Sequence, residues 1–258
     1  MADTKIVFFD IDGTIMNMGS TDLTMPVKKA IRSLQDNGIK VFVATGRPHY
    51  SVPVFDEVHF DGFMCFNGAY CFDSESVIHT CSLDKADMHT VTANAKRLGY
   101  ATQIATAERM GCNMYQEELD RYIRHTRRKC EIIPDFDMAL EDEVFLMMVA
   151  AGEEHDKALL ENTTRLRTAR WCDWAVDIIS VDCGKARGIE AILDHYGFKR
   201  EESMAFGDGH NDMDMIEYAG IGVAMGNAKD EVKAVADYVT DSCEDDGVVT
   251  ALEHFQLV

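Results

Sequence analysis

Three short β-branched and aromatic runs in this chain end in glycine or an acidic residue, directly or after one threonine, and then pass into a helical stretch. Lys5 to Phe9 leads into DIDGT, Ile39 to Ala44 into TGR, and Ser203 to Phe206 into GDGHND. Two further runs, Ile221 to Ala224 and Tyr238 to Thr240, each follow a helical pattern. Strands that alternate with helices pair in parallel, and a parallel sheet must be covered on both faces. The expected fold is α/β, a parallel sheet with helices on both faces. In such a sheet the chemistry gathers beyond the carboxyl ends of the strands, which is where the glycines and acids of these segments fall.

The intervening helices are legible. Thr24, followed by Met25 and Pro26, predicts a cap and start for a helix over Val27 to Asn37, stopped by Gly38. Lys185 to Tyr196 carries Ile189, Ile192 and Leu193 as one apolar stripe. From about Ser82 to Asp182 the rhythm breaks. This stretch opens with a helical pattern through Met88, Val91, Ala95 and Leu98. It continues with a strand over Thr102 to Ala105, the apolar run Val144 to Ala151, a helix over Glu154 to Thr163 and one Trp-bearing strand from Arg170 to Ile179. Roughly 100 residues suffice for a small domain. The expected organisation is a core made of residues 1–81 and 183–258, interrupted by an insertion over 82–182.

Composition excludes several classes of function. With 47% hydrophobic and 27% charged residues over 258 positions, the chain can bury a full core, and no apolar run approaches the roughly 18 residues of a membrane span. A formal charge of −20 argues against nucleic acid or an anionic membrane as partner, because a phosphate backbone needs clustered Lys and Arg. A small phosphate ester stays compatible, since screening confines exposed charges to about 8 Å and the local lining decides. The start, MADTKIVFFD, has no signal-peptide layout, so a cytoplasmic location is expected. The eight cysteines form no CxxC pair and no Cys/His ligand spacing, and read as buried reduced thiols.

Asp10 and Asp12 close the first strand, with Gly13 permitting a sharp turn. Two carboxylates that close are costly to ionise unless a cation sits between them or one keeps its proton. A hard ion such as magnesium meets that need, although a plain acidic turn has the same appearance. Thr45, Gly46 and Arg47 follow the second strand and offer a hydroxyl and backbone N–H groups to phosphate oxygens. Lys185 opens a helix, where its ammonium and the helix N-terminus both favour an anion. Asp208 and Asp212 supply a second pair of carboxylates at a strand end, in a spacing that does not match a calcium-binding helix-loop-helix.

These segments resemble the haloacid dehalogenase superfamily, and within it the Cof-type phosphatases with a large inserted cap. The resemblance rests on DIDGTI at Asp10 to Ile15, ATGRP at Ala44 to Pro48, FNGA at Phe66 to Ala69, GKARGI at Gly184 to Ile189, GDGHNDMDM at Gly207 to Met215 and GVAMGNA at Gly222 to Ala228. It implies a Rossmann-like core with an inserted α+β cap that sets specificity. It also implies a Mg2+-dependent phosphatase acting on a small phosphorylated metabolite, a sugar phosphate being favoured. By the same resemblance Asp10 is the nucleophile and Asp12 the general acid and base. Asp10, the Asp12 carbonyl and Asp208 would be the magnesium ligands. Thr45, Gly46, Arg47 and Lys185 would hold the phosphoryl group, Asn211 would contact substrate phosphate, and Asp212 would orient Lys185 or a metal-bound water.

Two rival functions follow from the same residues: a sugar phosphomutase, which also keeps an acid at the Asp12 position, and a phosphate-binding regulator without turnover. His210 and the basic run Arg121 to Lys129 are read first as surface residues, the run otherwise drawing anionic substrates toward the site, whereas Trp171 and Trp174 either roof the pocket or stack on a sugar, or pack within the cap.

Overall fold

In the computed structural model, which describes residues 3–125 and 130–258, the first strand has no exposed face. Ile6, Val7, Phe8 and Phe9 of β1 (Ile6–Phe9) are all fully buried. A strand buried on both sides belongs at the centre of a covered sheet. Accordingly β1 pairs in parallel with β2 (Lys40–Ala44) on one side and with β12 (Ser203–Gly207) on the other. Beyond β2 lies β3 (Gly62–Cys65), and beyond β12 lie β13 (Ile221–Ala224) and β14 (Tyr238–Val239), all parallel. Two further strands, β4 (Tyr70–Asp73) and β5 (Val77–Thr80), extend the sheet beyond β3 in antiparallel fashion.

The sheet is therefore mixed rather than wholly parallel. The cause is local: the links from β3 to β4 and from β4 to β5 are too short for a crossover. In the second link the Asp73 side chain accepts the Glu75 and Ser76 N–H groups, each at 2.8 Å, and fixes the turn.

Alternate residues of β1 serve two cores. Val7 and Phe9, with Val41 and Val43, pack under α1 (Met25–Asp36) and α9 (Gly247–His254). Ile6 and Phe8, with Phe42 and Ala44, pack under α6 (Lys185–Tyr196), α7 (Met213–Tyr218) and α8 (Asp230–Ala234). The predicted cap of α1 is present, Thr24 Oγ1 accepting the Val27 N–H at 3.4 Å.

This sheet and its helices form one compact unit, Met1–Arg47, Val52–Thr80 and Gly184–Val258; a second comprises Pro48–Ser51 and Cys81–Cys183. The second unit has a sheet in the order β10-β11-β9-β6-β7-β8. Its strands are β6 (Gln103–Thr106), β7 (Met110–Cys112), β8 (Glu131–Ile132), β9 (Val144–Val149), β10 (Leu166–Cys172) and β11 (Ala175–Ser180). Only the β7/β8 pair is parallel. Met88, Val91 and Ala95 of α2 (Lys85–Leu98) cover one face, against Ile104, Met147 and Ile178. Leu119 and Tyr122 of α3 (Glu117–His125) pack on the other, against Met148 and Ala175. Two single-turn helices, α4 (Phe136–Ala139) and α5 (Asp156–Leu159), complete the unit.

Two expected elements of this unit are corrected. The helix over Glu154 to Thr163 shrinks to a 3-10 turn and α5. The Asn94 amide takes the Leu159 and Glu161 carbonyls at 3.1 and 2.8 Å, and Asn162 is left-handed at φ 64°. The single strand from Arg170 to Ile179 is a hairpin, because the chain reverses at Asp173 and Trp174 and Cys172 pairs with Ala175.

Phe8 reports on the core that carries α6. Its ring lies 5.8 Å from that of Phe42, and Phe8→Ala is expected to lower unfolding stability by about 3–5 kcal/mol. Urea denaturation measures this; a loss below about 1 kcal/mol would contradict the packing described.

Candidate active site

Parallel pairing brings distant acids together. Phe9 is in register with Phe206, so Asp10 leaves β1 beside the end of β12, and its N–H donates to the Phe206 carbonyl at 3.0 Å. Asp208 is the first residue beyond β12, and Ala44 closes β2 on the opposite side of β1. The turn after Asp10 is tight, with the Gly13 N–H donating to Met16 O and the Met16 N–H to Ile11 O, both at 2.9 Å. Gly13 has φ +86°, and a Cβ there would sit 2.4 Å from Asp208 Oδ2, so a side chain would block the approach of the two loops.

Lys185, at the start of α6, is completely buried and donates to three oxygens: Asp10 Oδ1 at 2.7 Å, the Ala44 carbonyl at 2.7 Å and Asp212 Oδ1 at 2.5 Å. All three donors of the ammonium are thereby used. A second glycine makes this position possible. Gly68 has φ +93°, and a Cβ on it would lie 2.2 Å from the Gly184 carbonyl, just before Lys185.

Asp212 holds Lys185 with one oxygen and accepts the Asp208 and Gly209 N–H groups with the other, at 3.0 and 2.8 Å. Both Asp208 oxygens are also engaged, Oδ1 by the Thr14 hydroxyl and Oδ2 by the Asn227 amide, each at 3.1 Å. Asn227 is itself fixed, donating to the Gly13 carbonyl at 2.9 Å and accepting the Cys243 N–H at 2.8 Å.

Carboxylate oxygens of Asp10, Asp208 and Asp212 lie within 4.8 Å of one another. Three acids face one ammonium, which leaves an excess of negative charge in a buried place. Burial, reinforced by the charge of Asp212 and opposed by Lys185, lifts the Asp10 carboxyl well above the usual carboxylate range. Burial and then Asp212 push Asp208 up to about 7. Burial works against the Lys185 ammonium, yet Asp10 and Asp212 raise its pKa above that of free lysine. An all-oxygen donor set with surplus charge suits a hard divalent cation, and Asp10 and Asp208 fit that purpose. The Asp12 carboxylate stands outside the cluster. Arg47 grips it with two hydrogen bonds, Nε to Oδ2 at 2.7 Å and an Nη to Oδ1 at 2.6 Å.

The remaining expected site residues form a chain of contacts along the ends of β2 and β3. Thr45 is buried and its hydroxyl accepts the Arg47 N–H at 3.1 Å. Gly46 lies against the Asn67 side chain. Asn67, left-handed at φ 54°, donates its N–H to the Thr45 carbonyl at 3.0 Å and accepts the Asn211 amide at 3.1 Å. Thr14, Asn67 and Asn227 were given no role by the sequence. FNGA and GVAMGNA carry the resemblance, but amides that hold other side chains have no spacing of their own.

His210 pairs with Glu231 at 3.1 Å on the surface. Trp174 packs edge-on against Tyr122 at 5.6 Å, with the Arg121 guanidinium over its ring at 5.7 Å. The Trp171 side chain and residues 126–129 of the basic run lie outside the described residues. No helix among the described residues is long and apolar enough to cross a membrane.

A family model described as haloacid dehalogenase-like hydrolase matches residues 7–252. The Bacillus subtilis protein YkrA, named as a phosphatase, is 29% identical over 259 residues, covering 99% of each chain. BT1666 of Bacteroides thetaiotaomicron, a phosphatase of the same superfamily, superposes with a TM-score of 0.91 at 30% identity over 99% of this chain and 96% of that one. The subclass IIB sugar phosphatase BT4131 superposes with a TM-score of 0.90 at 32% identity, over 99% and 100% of the two chains. With its six motifs meeting at one sheet edge, the chain belongs to the haloacid dehalogenase-like hydrolases, and within them to the Cof-type phosphatases.

Proposed function

We propose that this phosphatase hydrolyses a small phosphorylated metabolite, a sugar phosphate, by passing the phosphoryl group through Asp10, with Mg2+ held by Asp10, Asp208 and the Asp12 carbonyl. The observation that carries the reading is the triple contact of Lys185, which fixes Asp10 Oδ1 and leaves Oδ2 without a donor among the described residues. Likeness to the sugar phosphatase BT4131 supports the substrate class, and the segment Cys81–Cys183 serves as the specificity cap.

In this mechanism Asp10 Oδ2 attacks phosphorus, the bond from phosphorus to the ester oxygen breaks, and Asp12 gives its proton to the departing alkoxide. Asp12, now a base, takes a proton from water; the water oxygen attacks phosphorus, and the bond from phosphorus to Asp10 breaks. Dividing the hydrolysis in this way replaces one hard step by two easier ones, and the proton transfers contribute about 10²- to 10⁴-fold. When bound, Mg2+ neutralises phosphoryl charge and orients the phosphoryl group for attack. Lys185 offsets charge from the protein side, and Thr45, Gly46 and Asn211 position the phosphoryl oxygens. Asp12 is free to transfer protons only when its pairing with Arg47 opens. The phosphoryl oxygens are the competing acceptor for that guanidinium, so substrate binding both recruits Arg47 and releases Asp12.

Asp10→Asn tests the reading directly. It is expected to fold like the parent and to lose at least about 10⁴-fold in kcat, since removing a nucleophile removes the covalent route; turnover near the parent rate would overturn it.

Because Asp208 sits at about 7, a proton competes with the cation below that pH. The folded pKa is raised, so the stability linked to this group is fully present below the free carboxyl's value and is lost as pH rises through about 7. Cation binding restores stability over the same window. Magnesium is accordingly expected to raise the melting temperature more at about pH 8 than at about pH 6. A larger shift at the lower pH would contradict the assignment of Asp208.

Asn227→Ala frees one oxygen of a metal-holding carboxylate, and the magnesium concentration for half-maximal activity is expected to rise about 10- to 100-fold. An unchanged requirement would show that Asn227 does not position Asp208.

A further inference from the structure

All eight cysteines are free thiols, but they are not equivalent. Cys65 and Cys71 are fully buried and burial raises both thiols, while burial also pushes Cys243 up to about 12. These are inert core residues. Cys81 and Cys183 differ. They are the first and last residues of the segment Cys81–Cys183, so the chain enters that unit at one and leaves it at the other. Although 102 positions apart in sequence, their side chains are hydrogen-bonded to each other.

The surroundings suit thiol exchange. Cys81 is half-buried and reachable from solvent, whereas Cys183 is buried behind it. The Ser180 side chain also bonds the Cys81 sulfur, and its hydroxyl accepts the Asp182 N–H at 3.2 Å, which fixes its direction. Burial and the Asp182 charge disfavour a thiolate, and the Arg165 guanidinium, the ion-pair partner of Asp182, offsets that charge only in part. The Cys183 bond is the largest influence and, with these groups, holds the Cys81 thiol at about 6. The Cys183 N–H donates to the Ser180 carbonyl at 3.1 Å and its carbonyl accepts from Arg167 at 2.7 Å, so the second thiol is held in place by its own backbone.

We propose that Cys81 and Cys183 are a redox modification site, a dithiol that a hydroperoxide converts to a disulfide joining the two points where the chain enters and leaves the second unit. The Cys81 thiolate attacks a peroxide oxygen, the O–O bond breaks, and Cys81 becomes a sulfenic acid as hydroxide leaves and is protonated. The Cys183 sulfur then attacks the Cys81 sulfur; the S–O bond breaks, and the hydroxide leaves as water with the Cys183 proton. With hydrogen peroxide, two thiols yield one disulfide and two waters, each sulfur giving up one electron and the peroxide accepting two. A dithiol reductant reverses the change by thiol–disulfide exchange. The reaction makes a covalent loop of the whole inserted segment.

The test uses the full chain in its native state. Limiting iodoacetamide at about pH 7, followed by peptide mass spectrometry, is expected to label Cys81 at least about tenfold faster than Cys130 or Cys172, the other partly exposed thiols. Hydrogen peroxide is expected to consume two of the eight thiols and to give one crosslinked peptide containing Cys81 and Cys183, which dithiothreitol removes. In Cys183→Ser, Cys81 is expected to stop at the sulfenic acid, trapped by dimedone. Labelling of Cys81 no faster than the others, a crosslink between Cys112 and Cys130 instead, or oxidation of Cys81 straight to the sulfinic acid in the parent protein would each overturn the proposal.

Discussion

A fully buried ammonium organises the unit built on the parallel strands. Removing the charge of Lys185 from water costs several kcal/mol unless every donor finds a good acceptor, and its three acceptors come from the ends of β1 and β2 and from the loop after β12. Four parts of the chain, including the start of α6, must therefore arrive at one point before Lys185 is satisfied. That condition ties the local geometry of Gly13 and Gly68, both left-handed and both pressed against neighbouring loops, to the placement of a single nitrogen.

The same contacts set the charge of the site. Lys185 compensates only part of the negative charge of Asp10, Asp208 and Asp212, and the raised carboxyl groups of Asp10 and Asp208 express what is left over. The protein thus holds acids in a state that favours either a proton or a hard cation. Net charge over the whole chain, −20, has little bearing on this. The decisive charges lie within a few ångströms of one another and are shielded from salt by burial.

Much of this was legible in the sequence because it depends on short segments. The run at β1 is apolar throughout, as a central parallel strand must be, and its aspartates and glycine mark the turn beyond it. Lys185 and Asp208 stand at element ends that the strand and helix patterns locate to within a residue or two. What the sequence did not disclose depends on contacts between distant segments. Asn227 and Asn67 are ordinary amides whose importance comes from the side chains they hold, and the Arg47 grip on Asp12 joins residues whose separate roles were legible but whose pairing was not. The corrected elements have the same origin: Asn94 takes carbonyls that a longer helix after α5 would need, and the reversal at Asp173 and Trp174 is marked by a single acidic residue with no glycine or proline beside it.

The central claim, that Asp10 carries the phosphoryl group, is tested most directly by rapid acid quench of a single turnover with a radiolabelled sugar phosphate, followed by borohydride reduction and peptide mapping. The account predicts transient label on the protein that rises and decays at a rate consistent with kcat, with Asp10 recovered as homoserine. Turnover without any protein-bound phosphoryl group, or homoserine recovered in place of another aspartate, would contradict it.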